Sequence, residues 1–154
     1  MNHIGNFKIR DCRVVPVLDT NATTAGDVLC ATTQLTVLPP GWKGTVERIT
    51  VLDKDHNGAA LDVVLLEDDT SLGTAGSAVS ASDAAAEKVV AVQQVAASDY
   101  ADLVNSQLAD VELAKPIGAG GGALYAALID RTGGNTFTAS GIVLTVYLRS
   151  DDPN

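Results

Sequence analysis

Asp53, Asp55, Asn57 and Gly58 stand in the D-x-D-x-N-G order that opens an EF-hand calcium loop, so the first chemistry to weigh is oxygen ligation of a divalent cation. Such a loop needs a bidentate Glu at its twelfth position, and Val64 stands there. The flanks also alternate with period two, so no helices bracket the loop. Asp and Asn favour turns because their side chains hydrogen-bond nearby backbone. The stretch reads as a plain acidic turn, and no metal is expected.

Nucleophilic and acid–base chemistry find equally little support. The chain has two histidines. His3 lies near a terminus expected to be mobile, and His56 lies in the acidic turn. A Ser, His, Asp set could use only His56, on an exposed tip with nothing evident to orient it. No Cys or His spacing matches zinc ligands. Asp68 and Asp69 are adjacent in a polar loop that needs solubility more than chemistry. The GAGGG run from Gly118 to Gly122 could cradle a phosphate only between a strand and a helix, and Ala123 to Arg131 reads as another strand. A flexible connection is the expectation there. Cys12 and Cys30 sit in alternating apolar segments and read as small buried thiols, bridged only if their strands are neighbours at suitable geometry. No catalytic, cofactor-binding or metal-binding residue is assigned, and no enzyme or cofactor is expected.

The elements that would position these residues centre on Thr45 to Glu67, two apolar arms meeting at Asn57-Gly58. That dipeptide between β-branched arms predicts a two-residue hairpin, since both central positions need positive φ. The register then sets Val51 opposite Val64, Ile49 opposite Leu66 and Arg48 opposite Glu67. It also sets Asp53 against Asp62, an unfavourable pair unless the loop is longer or something compensates. Both faces of the second arm are apolar: Leu61, Val63 and Leu65 on one side, Val64 and Leu66 on the other. One face can line the core, and the other needs a second layer or another subunit.

Phe7 to Leu18 reads as a strand near a sheet edge because Pro16 cannot donate to a ladder. Val28 to Leu38 reads as a second strand, stopped by Pro39-Pro40-Gly41. Trp42 either caps the core or stands exposed as a contact, with the cap favoured. Asp68 to Val79 is a loop; Ser80 or Ser82 can cap a helix of two or three turns through about Val90. Val89 to Ala97 returns to strand character, Ser98 to Asp102 turns, and Gln107 to Leu113 alternates. Ala123 to Arg131 and Ile142 to Arg149 are strands, with Thr132 to Asn135 as a second hairpin turn between them. Ile142, Leu144, Val146 and Leu148 share one face. Seven or eight strands with one short helix predict an all-β fold, an antiparallel β-sandwich or jelly-roll-like domain. Pattern alone does not separate jelly-roll from immunoglobulin-like connectivity. With no repeat or boundary, residues 1–154 read as a single domain, with a flexible arm over 1–6 and a flexible acidic tail over 150–154.

The 154 residues are 46% hydrophobic but only 4% aromatic, so the core must be built of small branched side chains. A net charge of −9 repels phosphate backbones, which argues against nucleic acid as a partner. No run of about eighteen apolar residues exists, which argues against a membrane span. MNHIGNFKIRD lacks the apolar stretch of a signal peptide, so the chain is expected in the cytoplasm where it is made. Asn21-Ala22-Thr23 is then a chance glycosylation match.

Four stretches together resemble the small decoration or cement proteins of tailed bacteriophages. They are Thr24-Ala25-Gly26-Asp27, ITVLDKDHNGAALDVVLLED from Ile49, VAASDYADL from Val95 to Leu103, and ALYAALIDR followed by a glycine-rich turn and FTASGIVLTVYL. The resemblance covers most of the chain from Thr24 onward and rests on strands and turns, without a chemical signature. It implies a sandwich or jelly roll that assembles on the outside of an icosahedral head, commonly as a homotrimer, with the major capsid protein as partner and the virion surface as its place. It defines no capsid- or subunit-contact residues. The alternatives are a carbohydrate- or receptor-recognising β-domain, for which the aromatic residues are few and scattered, and another head or tail component of the virion.

Overall fold

Alternating apolar residues become nine strands in the computed structural model, which describes residues 8–151. In chain order they are β1 (Ile9–Val14), β2 (Thr33–Val37), β3 (Trp42–Asp53), β4 (Leu61–Leu66), β5 (Val89–Val95), β6 (Tyr100–Asp102), β7 (Gln107–Ala119), β8 (Ala123–Asp130) and β9 (Ile142–Ser150), with one helical turn, α1 (Asp83–Ala86), before β5. They form two antiparallel sheets, a five-stranded one ordered β1-β9-β3-β7-β6 and a four-stranded one ordered β2-β8-β4-β5. The protein is an all-β sandwich. Apart from β6, the pairing is nested: β1 with β9, β2 with β8, β3 with β7, β4 with β5. A long antiparallel ribbon rolled over itself in this way is a jelly roll, which settles the connectivity that pattern left open.

The nesting overturns both expected hairpins. β3 and β4 lie in different sheets, so Asn57-Gly58 belongs to an arch that crosses the sandwich. Val51 is registered with Ala109 and Leu144, and Val64 with Val92 and Ala127. Asp53 never faces Asp62. Thr132 to Asn135 likewise lies on a crossing from β8 to β9. The physical reason is burial: Val46, Ile49 and Val51 meet Leu61, Val63 and Leu65 across one core cluster, an arrangement that buries both sets face to face rather than edge to edge.

All six residues of β4 are buried. Its second face, Val64 and Leu66, packs with Val28, Leu72, Ala127 and Ile129 in a separate cluster. Leu72 comes from the β4–β5 connection and Val28 from the β1–β2 connection, so the chain supplies this second layer itself. That face therefore gives no ground for another subunit. Ile142, Leu144, Val146 and Leu148 enter the main core as their alternation predicts.

Other differences have local causes. The helix is one turn long, capped by Ser82 Oγ accepting from Ala85 N at 3.1 Å, because Val89 and Val90 are drawn into β5 beside β4. Tyr100 to Asp102 forms β6 where a turn was expected. β7 runs through Ile117, Gly118 and Ala119, so only Gly120 to Gly122 remain as a turn. The second strand shrinks to Thr33–Val37, preceded by single bridges from Val28 to Ile129 and Cys30 to Leu18. β1 is an edge strand, and Trp42 is half-buried against the core. Cys12 and Cys30 are buried free thiols. Of the tail, Ser150 closes β9 and Asp151 N donates to Lys43 O. His3, the rest of the arm 1–6, Phe7 and residues 152–154 lie outside the described residues.

Candidate functional site

The acidic arch turns its polar groups onto its own backbone and its neighbours. Asp53, 1% exposed, accepts from Asp55 N at 3.0 Å and Gly58 N at 2.8 Å. Asp55 accepts from Thr138 N at 2.7 Å and Thr138 Oγ1 at 2.9 Å, and Asn57 Nδ2 donates to Thr136 O at 3.0 Å. Positive φ falls on His56 and Gly58, not on the expected Asn57-Gly58 pair. The carboxylates thus staple the β3–β4 arch to the β8–β9 connection. Among the described residues, no group of three or more His, Cys, Asp or Glu is disposed to hold a metal.

His56 has an orienting partner that sequence reading missed: its Nε2 lies 3.0 Å from Asp102 Oδ1. Asp102 also accepts from Val104 N at 2.7 Å. These bonds, His56 first, hold the Asp102 carboxyl below its ordinary value. No local pattern announces a pair 46 positions apart. A second staple was also missed. Asp130 is fully buried and accepts from Thr23 Oγ1 at 2.5 Å, Thr132 N at 2.8 Å, Gly133 N at 3.1 Å and Asn135 Nδ2 at 3.0 Å. Beside it, Arg131 Nε donates to Asp62 Oδ2 at 2.6 Å. The Gly-Gly-Asn signal was visible, but it marks a cap on Asp130 rather than a hairpin. Burial raises both thiols, Cys30 to about 11, which suits inert packing. Asp68, Asp69 and the glycine turn stay on the surface connections, with the Glu67 backbone carbonyl close against Gly121.

The outer face of the five-stranded sheet carries a different kind of site, an open cleft of about 810 Å³. Its origin is a pair of bulges. Between Val46 and Arg48 the register slips against both β9 and β7, leaving Glu47 as an extra residue beside β9 and an extra residue on β7 near Ala114. A bulge puts two consecutive side chains on one face, so Glu47 and Arg48 both point outward. Arg149 Nε meets Glu47 Oε1 at 2.8 Å. Arg48 lies 4.2 Å over the Tyr147 ring and 3.5 Å from Asp110. Ile9 and Leu113 supply apolar wall. Lys8, Arg10, Lys43, Arg48 and Arg149, half of the chain's ten Lys and Arg, gather at this end of the sheet. The opposite end carries Lys54, Asp55 and His56 in the β3–β4 arch and Asp102 at the end of β6. Glu47 and Glu112 line the cleft itself, and Arg48 and Arg149 are paired with Asp110 and Glu47, so the cleft's charges are largely balanced.

No family model matches the chain, and no curated protein matches it. Among solved structures, it is similar to a chain in the X-ray structure of tomato aspermy virus, with a TM-score of 0.45 and 13% identity over 95% of this chain and 78% of that one. A likeness so distant assigns neither family nor activity.

Proposed function

We propose that this protein is a structural component of a virion, and more narrowly a decoration protein of a tailed phage that binds the outside of the assembled head and stabilises it. The observation that carries this reading is where the resembling stretches fall. They supply β4 and β8, β9 as far as Leu148, the last five residues of β3, and the groups that staple the connections: Gly26, Asp53, Asp55, Asp130 and Thr138. The acids and the histidine that could have done chemistry serve as these staples, which favours a load-resisting part over an enzyme. The major capsid protein is the partner on this reading, and the chain is made in the host cytoplasm before joining the capsid surface. Among the described residues the one aromatic ring in the outer cleft, Tyr147, has Arg48 stacked on it, which speaks against a sugar platform.

As a trimer spanning several capsid subunits, the protein gains avidity, because its second and third contacts become intramolecular after the first. Binding only the assembled state then opposes shell opening by mass action. Heads with and without the protein are compared for bound stoichiometry and for resistance to heat. The expected result is saturable binding and a higher disruption temperature. Protein that stays in the supernatant with mature heads, or that copurifies only with tails, sinks the reading.

A further inference from the structure

Two cations rooted in the five-stranded sheet reach across the seams of the sandwich to the edges of the other sheet. Arg10, on the same side of β1 as buried Cys12, donates to Val37 O on the free edge of β2 at 2.9 Å. Lys115, on the same side of β7 as buried Ile117, donates to Val92 O on the free edge of β5 at 3.1 Å. Inward-pointing cations at an edge block pairing with another chain, so the edges they cover are where such pairing would start.

The ladder fixes which groups β5 exposes. Arg131 N donates to Ala60 O, and along the β4–β8 register this makes even-numbered residues of β4 bond to β8 and odd-numbered ones to β5. Leu61 and Val63 therefore hold Val95 and Gln93, while Val92 and Gln94 turn their N–H and C=O groups off the open side. Lys115 takes the first of these carbonyls, and Gln93 Nε2 takes the second at 2.7 Å. Among the described residues the other free edges are less suited to pairing. β1 carries Arg10, Asp11 and Arg13; β6 has three residues; β2 has five and slips register between Gln34 and Thr36; and β7 beyond β6 carries Asp110, Glu112 and Pro116.

We infer that the edge of β5 pairs with β5 of a second copy, antiparallel and two-fold about Val92, and that Lys115 holds this edge shut in the single chain. The strand itself selects the occupant. Val89–Val95 reads VVAVQQV, seven residues without a charge in a chain of net charge −9, and its register runs unbroken from Ala91 to Val95. Pairing about Val92 sets that side chain, 43% exposed, beside its own copy, Gln93 beside Ala91 and Gln94 beside Val90. No like charges meet, and the outward N–H of each Val92 faces the outward C=O of the other. Such an interface is isologous and closes at two chains. The incoming strand must displace the Lys115 ammonium from Val92 O, so this one side chain sets how readily the edge opens. The inference is independent of the virion reading.

The test is sedimentation of the full chain as wild type, Lys115→Ala, Lys115→Arg and Lys115→Ala/Val92→Pro. Lys115→Ala is expected to form a two-chain species about tenfold or more tighter than wild type. Lys115→Arg keeps a donor over Val92 O and is expected to behave as wild type. Val92→Pro removes an N–H that points away from β4, so it should abolish the new association while leaving the β4–β5 ladder in place. Should Lys115→Ala fail to fold, Lys115→Met keeps the apolar stem and loses only the ammonium. Amide exchange gives a reading on the wild-type chain as well: in dilute solution the Val92 and Gln94 N–H groups are expected to exchange fast and those of Gln93 and Val95 slowly. Association of Lys115→Ala no tighter than wild type, association that survives Val92→Pro, equal association of Lys115→Arg, or Val92 and Gln94 protected in the dilute wild type overturns the inference.

Discussion

The β3–β4 arch and the β6–β7 tip are both turns that begin at an aspartate whose carboxylate accepts from backbone a few residues on, and the His56–Asp102 contact ties one to the other. They differ in every other respect. The arch has the Asn-Gly of a tight hairpin and is not one; the tip reads Leu-Val-Asn-Ser and is one. The arch places positive φ on a histidine and a glycine and buries its first carboxylate; the tip places it on a valine in solvent. Turn residues specify how the backbone can bend. Which strands then pair is decided by where their apolar faces can be buried, and in this fold the arch must cross between sheets.

The largest effect expected from breaking this contrast is at the start of the arch. Asp53→Ala leaves two part-buried N–H groups, those of Asp55 and Gly58, without their acceptor, at a cost of about 2–3 kcal/mol. Chemical denaturation measures it. The equivalent change at the exposed start of the tip, Asp102→Ala, is expected to cost well under half as much. Equal costs would mean that burial does not separate the two turns.

This contrast also bounds what was legible in the sequence. Strands whose alternation decides their own burial, such as Ile142 to Leu148, were readable, as was the double-faced apolarity of Leu61 to Leu66. Its cover was not, because Val28 and Leu72 reach Val64 and Leu66 only through the fold. The staples Thr23–Asp130 and Asp55–Thr138 join residues 107 and 83 positions apart, which no local rule connects. Residue types there were visible while partners were not. The bulge at Glu47, which makes the outer cleft, shows in the sequence only as two adjacent charges, Glu47-Arg48, interrupting an alternating strand.

Backbone strain sharpens the comparison at a smaller scale, with opposite signs at the two turns. Gly58→Ala puts a side chain at φ +59°, with its Cβ only 2.5 Å from the movable Gln107 Oε1. A loss of about 1–2 kcal/mol is expected. Val104→Asn gives a left-handed position to a residue that tolerates it, and a gain of about 1 kcal/mol is expected. If Val104→Asn destabilises the chain instead, the valine side chain serves the fold in spite of its exposure.

The smallest effect concerns the contact that joins the two turns. Asp102 is held below its ordinary carboxyl value of 3.8, first by His56 and then by Val104 N. A carboxylate depressed in the folded state contributes stability above its ordinary value and loses it as pH falls through the folded one. The tie should therefore persist from neutral pH down to about 4 and fail below it. It is exposed, with Asp102 67% accessible, so its loss should loosen the tip without unfolding the sandwich. In His56→Ala the Asp102 carboxyl, followed by NMR through acid titration, is expected to move back toward its ordinary value, while the Val104 N contact keeps part of the shift. An Asp102 titration unchanged by His56→Ala would mean that the arch and the tip are independent, each holding its shape through its own backbone bonds.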